Sequence, residues 1–314
     1  MTLGREQLVA AITDFLANQD AAALAAMRAA VVAEIDRSPN GSIGALARRL
    51  ASAGEDWNYY ESDPVARRLH HVLADHILRP GSSLHGIEHV HAVTGKPVVI
   101  FANHLSYADA NLVEVLLHRA GGDELAHRLT VIAGPKVYSS LKRRFSSLCF
   151  ATIKTPQSSG VASEDAVMNP REVVRAARRS IDIAHDRLRL GDALLVFAEG
   201  TRSRSKGLQQ MLSGVSRYLD PDGTWILPIG ITGTEELFPV GEDTLHPVEA
   251  IARVGAPIHA ATLRDQSHGD RRLMMDVVGL AIAELLPDDY KGVYGPEGEG
   301  LEEASTVLRT IRAS

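Results

Sequence analysis

Five apolar residues, Val98-Val99-Ile100-Phe101-Ala102, run straight into Asn103-His104. A run this short with no polar alternation fits a strand buried on both faces, as in a parallel sheet covered by helices. Leu112, Val113, Val115, Leu116 and Leu117 then crowd the stretch Ala110 to Arg119, which predicts a helix. His104 falls at the carboxyl end of the strand, where open α/β sheets place their ligands.

Asp109 follows His104 by five positions. On one continuous helix, residues five apart are rotated by about 140° and do not meet. They meet if His104 lies in the turn and Asp109 in the first helical turn, where the helix dipole also favours an acidic group. Such an Asp accepts the imidazole Nδ1–H and leaves Nε2 free to take a proton. A loop histidine beside a helix cap fits the same two residues.

The rest of the chain supports a sheet. From Leu84 onward, apolar runs at Leu129–Ala133, Cys149–Ile153, Ala193–Ala198, Trp225–Ile231 and Ala250–Val254 alternate with helical patterns, notably Pro170 to Leu188 and Arg271 to Leu286. The expected fold is α/β, with a mixed, largely parallel sheet flanked by helices. Pro228 inside one run suggests a bulge or a strand break. Residues 1–80 read as a smaller N-terminal helical domain. Leu8, Ile12, Phe15 and Leu16 recur at helical spacing, and Ala21 to Ala33 favours helix. Ser38-Pro39-Asn40-Gly41 breaks the pattern, and Asp63-Pro64 starts a further helix ended by Arg79-Pro80-Gly81. His70, His71 and His76 read as a solvated helix face, without the carboxylates or cysteines of a metal site. Gln157 to Asn169, polar and Ser-rich, reads as an exposed loop.

At 314 residues with net charge −6, the chain does not present the overall basic surface of a nucleic-acid binder, so any anion site must be a local cluster. A single cysteine, Cys149, sits in an apolar context and excludes an internal disulfide. No stretch approaches the ~20 apolar residues that span a bilayer, and no secretory signal is evident. The expected setting is cytoplasmic, with peripheral contact at the inner face of a membrane left open. Ala193–Ala198 runs into Glu199-Gly200-Thr201-Arg202-Ser203-Arg204. Gly200 permits a sharp turn, Thr201 offers a hydroxyl, and Arg202 and Arg204 offer planar forks suited to phosphate. Glu199 would receive a ligand hydroxyl or orient an arginine. Lys142-Arg143-Arg144, with Lys136 nearby, reads either as a solvated face or as a dock for something acidic.

Asn103-His104-Leu105-Ser106-Tyr107-Ala108-Asp109 matches an N-H-x-S-x-x-D box, and Phe197 to Arg204 matches an F-P-E-G-T-R-S-R box except at Ala198. In this order the pair resembles the glycerolipid acyltransferases, those acting on glycerol 3-phosphate or lysophosphatidic acid. Gly86-Ile87-Glu88, Leu227-Pro228-Ile229 and the Leu286–Tyr294 tail resemble further family features, so the likeness spans about residues 84–294, within a catalytic domain at 81–314. Ala133-Gly134-Pro135-Lys136 through Lys154 resembles the soluble, chloroplast-type glycerol-3-phosphate enzymes, whereas the Glu-Gly-Thr-Arg wording follows the lysophosphatidic acid enzymes. The resemblance implies acyl transfer from acyl-CoA or acyl carrier protein, with no cofactor or metal. His104 and Asp109 would be catalytic, and Lys154, Arg202 and Arg204 would hold the acceptor phosphate. Asn103, Glu199, Gly200 and Thr201 would contact substrate, while Lys136, Lys142, Arg143 and Arg144 would dock the donor or a membrane. The chemistry also needs an oxyanion hole, expected from backbone N–H groups near Pro228-Ile229-Gly230. A lysophospholipid acceptor, or a relative that binds lipid or phosphate without catalysis, remains the alternative.

Overall fold

In a computed structural model, the described residues are 5–13, 21–156, 169–239 and 245–313. Phe15, Leu16 and all but the last residue of the expected Gln157–Asn169 loop lie outside them. The strands are β1 (Tyr59–Tyr60), β2 (Ser83–His85), β3 (Val98–Ala102), β4 (Leu129–Ala133), β5 (Ala151–Lys154), β6 (Ala193–Val196), β7 (Trp225–Thr232), β8 (Ile251–Val254) and β9 (Ile258–His259). The helices are α1 (Arg5–Thr13), α2 (Ala21–Arg37), α3 (Ser42–Ser52), α4 (Pro64–Ile77), α5 (Ile87–His91), α6 (Asp109–Arg119), α7 (Asp123–His127), α8 (Leu141–Leu148), α9 (Pro170–Arg189), α10 (Ala260–Gln266), α11 (Arg271–Ala283) and α12 (Glu302–Ala313).

The strands form a mixed, largely parallel sheet in the order β1-β5-β4-β6-β3-β7-β8-β2, with β9 beside β7. β5, β4, β6, β3 and β7 run parallel, β2 runs parallel to β8, and the antiparallel pairs are β1–β5, β7–β8 and β7–β9. Every residue of β3 is buried. Val98, Ile100 and Ala102 enter one apolar core and Val99 and Phe101 the other, as the two-residue period of a strand requires. The first core is shared with Leu8, Ile12, Val31, Leu46, Leu69 and Leu73 of the N-terminal helices. Because β1 also joins the sheet, the expected boundary near residue 80 does not separate two cores.

Pro228 neither bulges nor breaks its strand, since β7 is continuous through it. It pairs with Phe101 of β3, and its carbonyl accepts Gly255 N–H (2.9 Å) opposite the gap between β8 and β9. The missing N–H of the proline faces that same gap, so no ladder bond is lost. Nor are the histidines of α4 uniformly solvated. His70 is buried with Nε2 on the Asn111 carbonyl (2.9 Å), and His71 Nε2 bonds the buried Glu114 carboxyl (2.9 Å). These contacts turn a polar side of α4 inward against α6. Among the described residues no helix is long and apolar enough to cross a membrane.

Candidate active site

β3 and β6 are hydrogen-bonded neighbours, so their carboxyl ends bring His104 and the Glu199–Arg204 turn together. His104 is tied to that turn through its backbone: its N–H donates to Glu199 Oε1 (2.7 Å), and its carbonyl accepts Ser203 N–H (2.8 Å). Its ring stacks on Phe197, with centroids 4.2 Å apart. His104 Nδ1 lies 2.9 Å from Asp109 Oδ2, which also accepts Leu105 N–H (2.7 Å) and Ser106 N–H (2.8 Å). An oxygen that already receives two backbone donors is an acceptor, so Nδ1 carries the proton and Nε2 keeps its lone pair. Among the described residues Nε2 has no hydrogen-bond partner, and the imidazole lines a cavity.

Asp109 is fully buried, and its other oxygen accepts the hydroxyl of the equally buried Thr234 (2.6 Å). Thr234 escaped the sequence reading. Its one signal is position, two residues beyond the end of β7, which neighbours β3 at the same carboxyl edge. Glu199 is buried as well, and its Oε2 accepts Gln209 N–H (2.9 Å). Burial pushes its carboxyl up to about 7 against two backbone donors and His104, which pull it down. Glu199 thus orients the His104 backbone rather than an arginine. Gly200 has φ 74°, and a Cβ there would lie 2.6 Å from Leu212 Cδ1. Only glycine fits this turn without displacing its neighbour.

The cavity has a volume of about 510 Å³. Leu73, Ile77, Leu112, Val131, Phe145 and Phe150 contribute to its apolar wall, and His104, Thr201 and Arg202 lie on its polar side. Near the mouth, half-exposed Tyr107 has Arg202 Cζ 4.5 Å and Arg143 Cζ 5.3 Å from its ring centre. Arg202 also donates to the Phe238 carbonyl (2.8 Å). Lys136, Lys142 and Arg143 line the same cavity, with Lys142 over the Phe238 ring (5.0 Å).

Other sequence-selected residues are placed differently. Lys154 Nζ donates to the Gly54 carbonyl and sits 4.4 Å from the Trp57 ring centre, and burial lowers its pKa; it does not line the cavity. Arg204 is exposed and likewise outside the lining. Asn103 spends its amide on Ile231, donating to the carbonyl (2.8 Å) and accepting the N–H (2.7 Å). Arg144 is turned toward α3, donating to the Leu50 and Ala51 carbonyls. The expected oxyanion donors lie within the sheet, where Ile229 pairs with Ala102 and Val254 and Gly230 pairs with Arg253. Ser106 is buried and does not line the cavity, and Cys149 is buried in an apolar core. Among the described residues no three His, Cys, Asp or Glu side chains cluster as metal ligands do.

A base-competent imidazole, a cationic rim and an apolar cavity can together activate a hydroxyl, hold an anion and house a hydrocarbon. Residues 82–232 match the family model described as Acyltransferase. No curated protein matches. Among solved structures, the 1-acyl-sn-glycerophosphate (LPA) acyltransferase PlsC from Thermotoga maritima is similar, at 16% identity and a TM-score of 0.47, over 82% of this chain and 86% of that one.

Proposed function

We propose, on the match of residues 82–232 to the family model described as Acyltransferase, that the chain is an acyltransferase that moves a fatty acyl group from a thioester to a hydroxyl of glycerol 3-phosphate. The observation that carries this reading is the His104–Asp109 pair, with Nε2 unpartnered among the described residues at the polar side of an apolar cavity that Arg202 also lines. Nε2 takes the proton as the acceptor oxygen attacks the thioester carbonyl. The C–S bond then breaks, the proton passes from the imidazolium to the leaving sulfur, and an ester and a free thiol result. Asp109 holds the ring in the required tautomer throughout. A positioned base of this kind contributes about 10²–10⁴ in rate.

Arg202 would grip the acceptor phosphate, with Arg204 reaching it from the exposed end of the turn and Thr201 contacting the glycerol. Fixing the acceptor this way contributes at most about 7–11 kcal/mol through proximity. Lys154 is left out of this grip because its ammonium is already engaged with Gly54 and Trp57. The apolar wall would take the acyl chain, and the donor thiol would be that of coenzyme A or of a carrier protein.

The test is product analysis with a labelled acyl thioester. Labelled lipid that forms only when glycerol 3-phosphate is added supports the reading. Lipid that forms with lysophosphatidic acid but not glycerol 3-phosphate moves the acceptor one step along, and labelled free acid without acceptor identifies a hydrolase.

A further inference from the structure

α9 connects the carboxyl end of β5 to the amino end of β6. Its level on the sheet is marked by Ser180, whose hydroxyl lies 3.0 Å from that of Thr155, the residue just after β5. Residues 170–179 therefore extend past the carboxyl edge by about 15 Å at 1.5 Å per residue. That is the edge on which His104 and the Glu199–Arg204 turn sit. Ala176, Ser180, Ala184 and Leu188, four apart, form the buried stripe of the helix. Arg171, Arg175 and Arg178 fall within about 60° of one another on the opposite side, and Arg179 flanks them.

The two halves of α9 treat their arginines differently. In the half lying along the sheet, Arg187 is paired with Asp192 (2.7 Å) and Arg189 with Asp186 (2.8 Å). In the overhanging half Arg171, Arg175, Arg178 and Arg179 are all exposed, with no hydrogen bond or ion pair among the described residues. With Val174 and Asp182 they line a shallow hollow. Like charges one turn apart repel, and cations near a helix N-terminus oppose its dipole. The chain as a whole is acidic, at −6, so the stripe runs against both local energetics and overall charge.

We infer that the overhanging face of α9 is a docking surface for an acidic protein helix, and that the partner is an acyl carrier protein presenting the thioester to the cavity. Naming the partner as an acyl carrier rests on the transferase reading above; the acidic character rests on the stripe alone. Carboxylates spaced one turn apart on a partner helix match guanidinium groups at 171, 175 and 178. A bilayer is the poorer fit. A helix that lies in a membrane interface turns an apolar face outward, whereas the apolar side of α9 faces the sheet and only Val174 accompanies the outer arginines. The path inward is short, because Thr155 and Tyr218, which lie against α9 and the 213–219 turn it packs on, line the cavity.

The test measures binding of purified, unacylated acyl carrier protein to the full chain, so it does not require turnover. Wild type should bind with an affinity that falls as salt rises. The double variant R175E/R178E should weaken binding at least tenfold while R175K/R178K retains it, with the thermal midpoint of both variants unchanged. Equal binding by wild type and R175E/R178E overturns the proposal. So does a wild type that ignores the carrier yet adheres to phosphatidylglycerol vesicles through the same arginines. If the carrier binds through these arginines but no acyl group is transferred from it or from acyl-CoA, the docking surface stands and the transferase reading fails.

Discussion

At the scale of single residues, the site depends on two buried carboxyl groups with different duties. Asp109 receives four donors, from His104, Leu105, Ser106 and Thr234, and fixes one imidazole tautomer. Thr234→Val keeps the side-chain volume but removes the hydroxyl, leaving a buried oxygen unsatisfied. The expected result is a drop in kcat of about tenfold, corresponding to ~1.4 kcal/mol, with the acceptor KM unchanged. Thr234→Ser should restore the rate. Glu199 is raised by burial from 4.5 to about 7. The native state therefore keeps this proton in a range where the unfolded chain has lost it, so stability falls as pH rises from about 4.5 to 7. Each tenfold gain in proton affinity on folding is worth ~1.4 kcal/mol, so the whole effect is about 3 kcal/mol at most. Urea denaturation of Glu199→Gln at pH 5 and at pH 7.5 should show a smaller loss between the two than wild type shows. An unchanged difference would mean that Glu199 titrates normally.

At the scale of elements, α4 is both a wall of the cavity and a strut of the first core, with Leu73 and Ile77 serving in both roles. Its N-cap, Asp63, accepts Val65 N–H (2.9 Å) and Ala66 N–H (3.2 Å) and pairs with Arg49 (3.0 Å). Asp63→Ala should cost about 1–2 kcal/mol of unfolding free energy, measured by chemical denaturation. No measurable loss would show that the helix start is held by packing alone. Elements with a strong local signature were legible in the sequence. β3 and β4 have the bounds read from their apolar runs, and α4 begins where Asp63-Pro64 placed it. β1, β2 and β9, of two or three residues each, were not legible, because their pairing comes from distant partners rather than local pattern. Pro228 misled because a proline's cost depends on what lies opposite its nitrogen, which no local window contains.

At the scale of the molecule, the N-terminal helices and the sheet share one apolar core and a strand pairing, so they should unfold together. Calorimetry should show one transition with equal calorimetric and van't Hoff enthalpies; two separated transitions would restore a boundary near residue 80. His104, Asp109 and Arg202 could be read from two motifs at strand ends, because parallel neighbours put their carboxyl ends at one edge. Lys154 and Asn103 could not be sorted from them. Residue type shows that a side chain can bind an anion or a hydroxyl, and only packing shows that Gly54 or Ile231 already holds it. The proposed transfer depends on two stretches 95 positions apart meeting so that an imidazole can deprotonate a bound hydroxyl. The most direct measurement is turnover and acceptor binding of His104→Ala beside wild type. The predicted result is a loss of kcat of at least about 10²-fold with the acceptor Kd within threefold and the thermal midpoint unchanged; a folded variant turning over at near wild-type rate would contradict it.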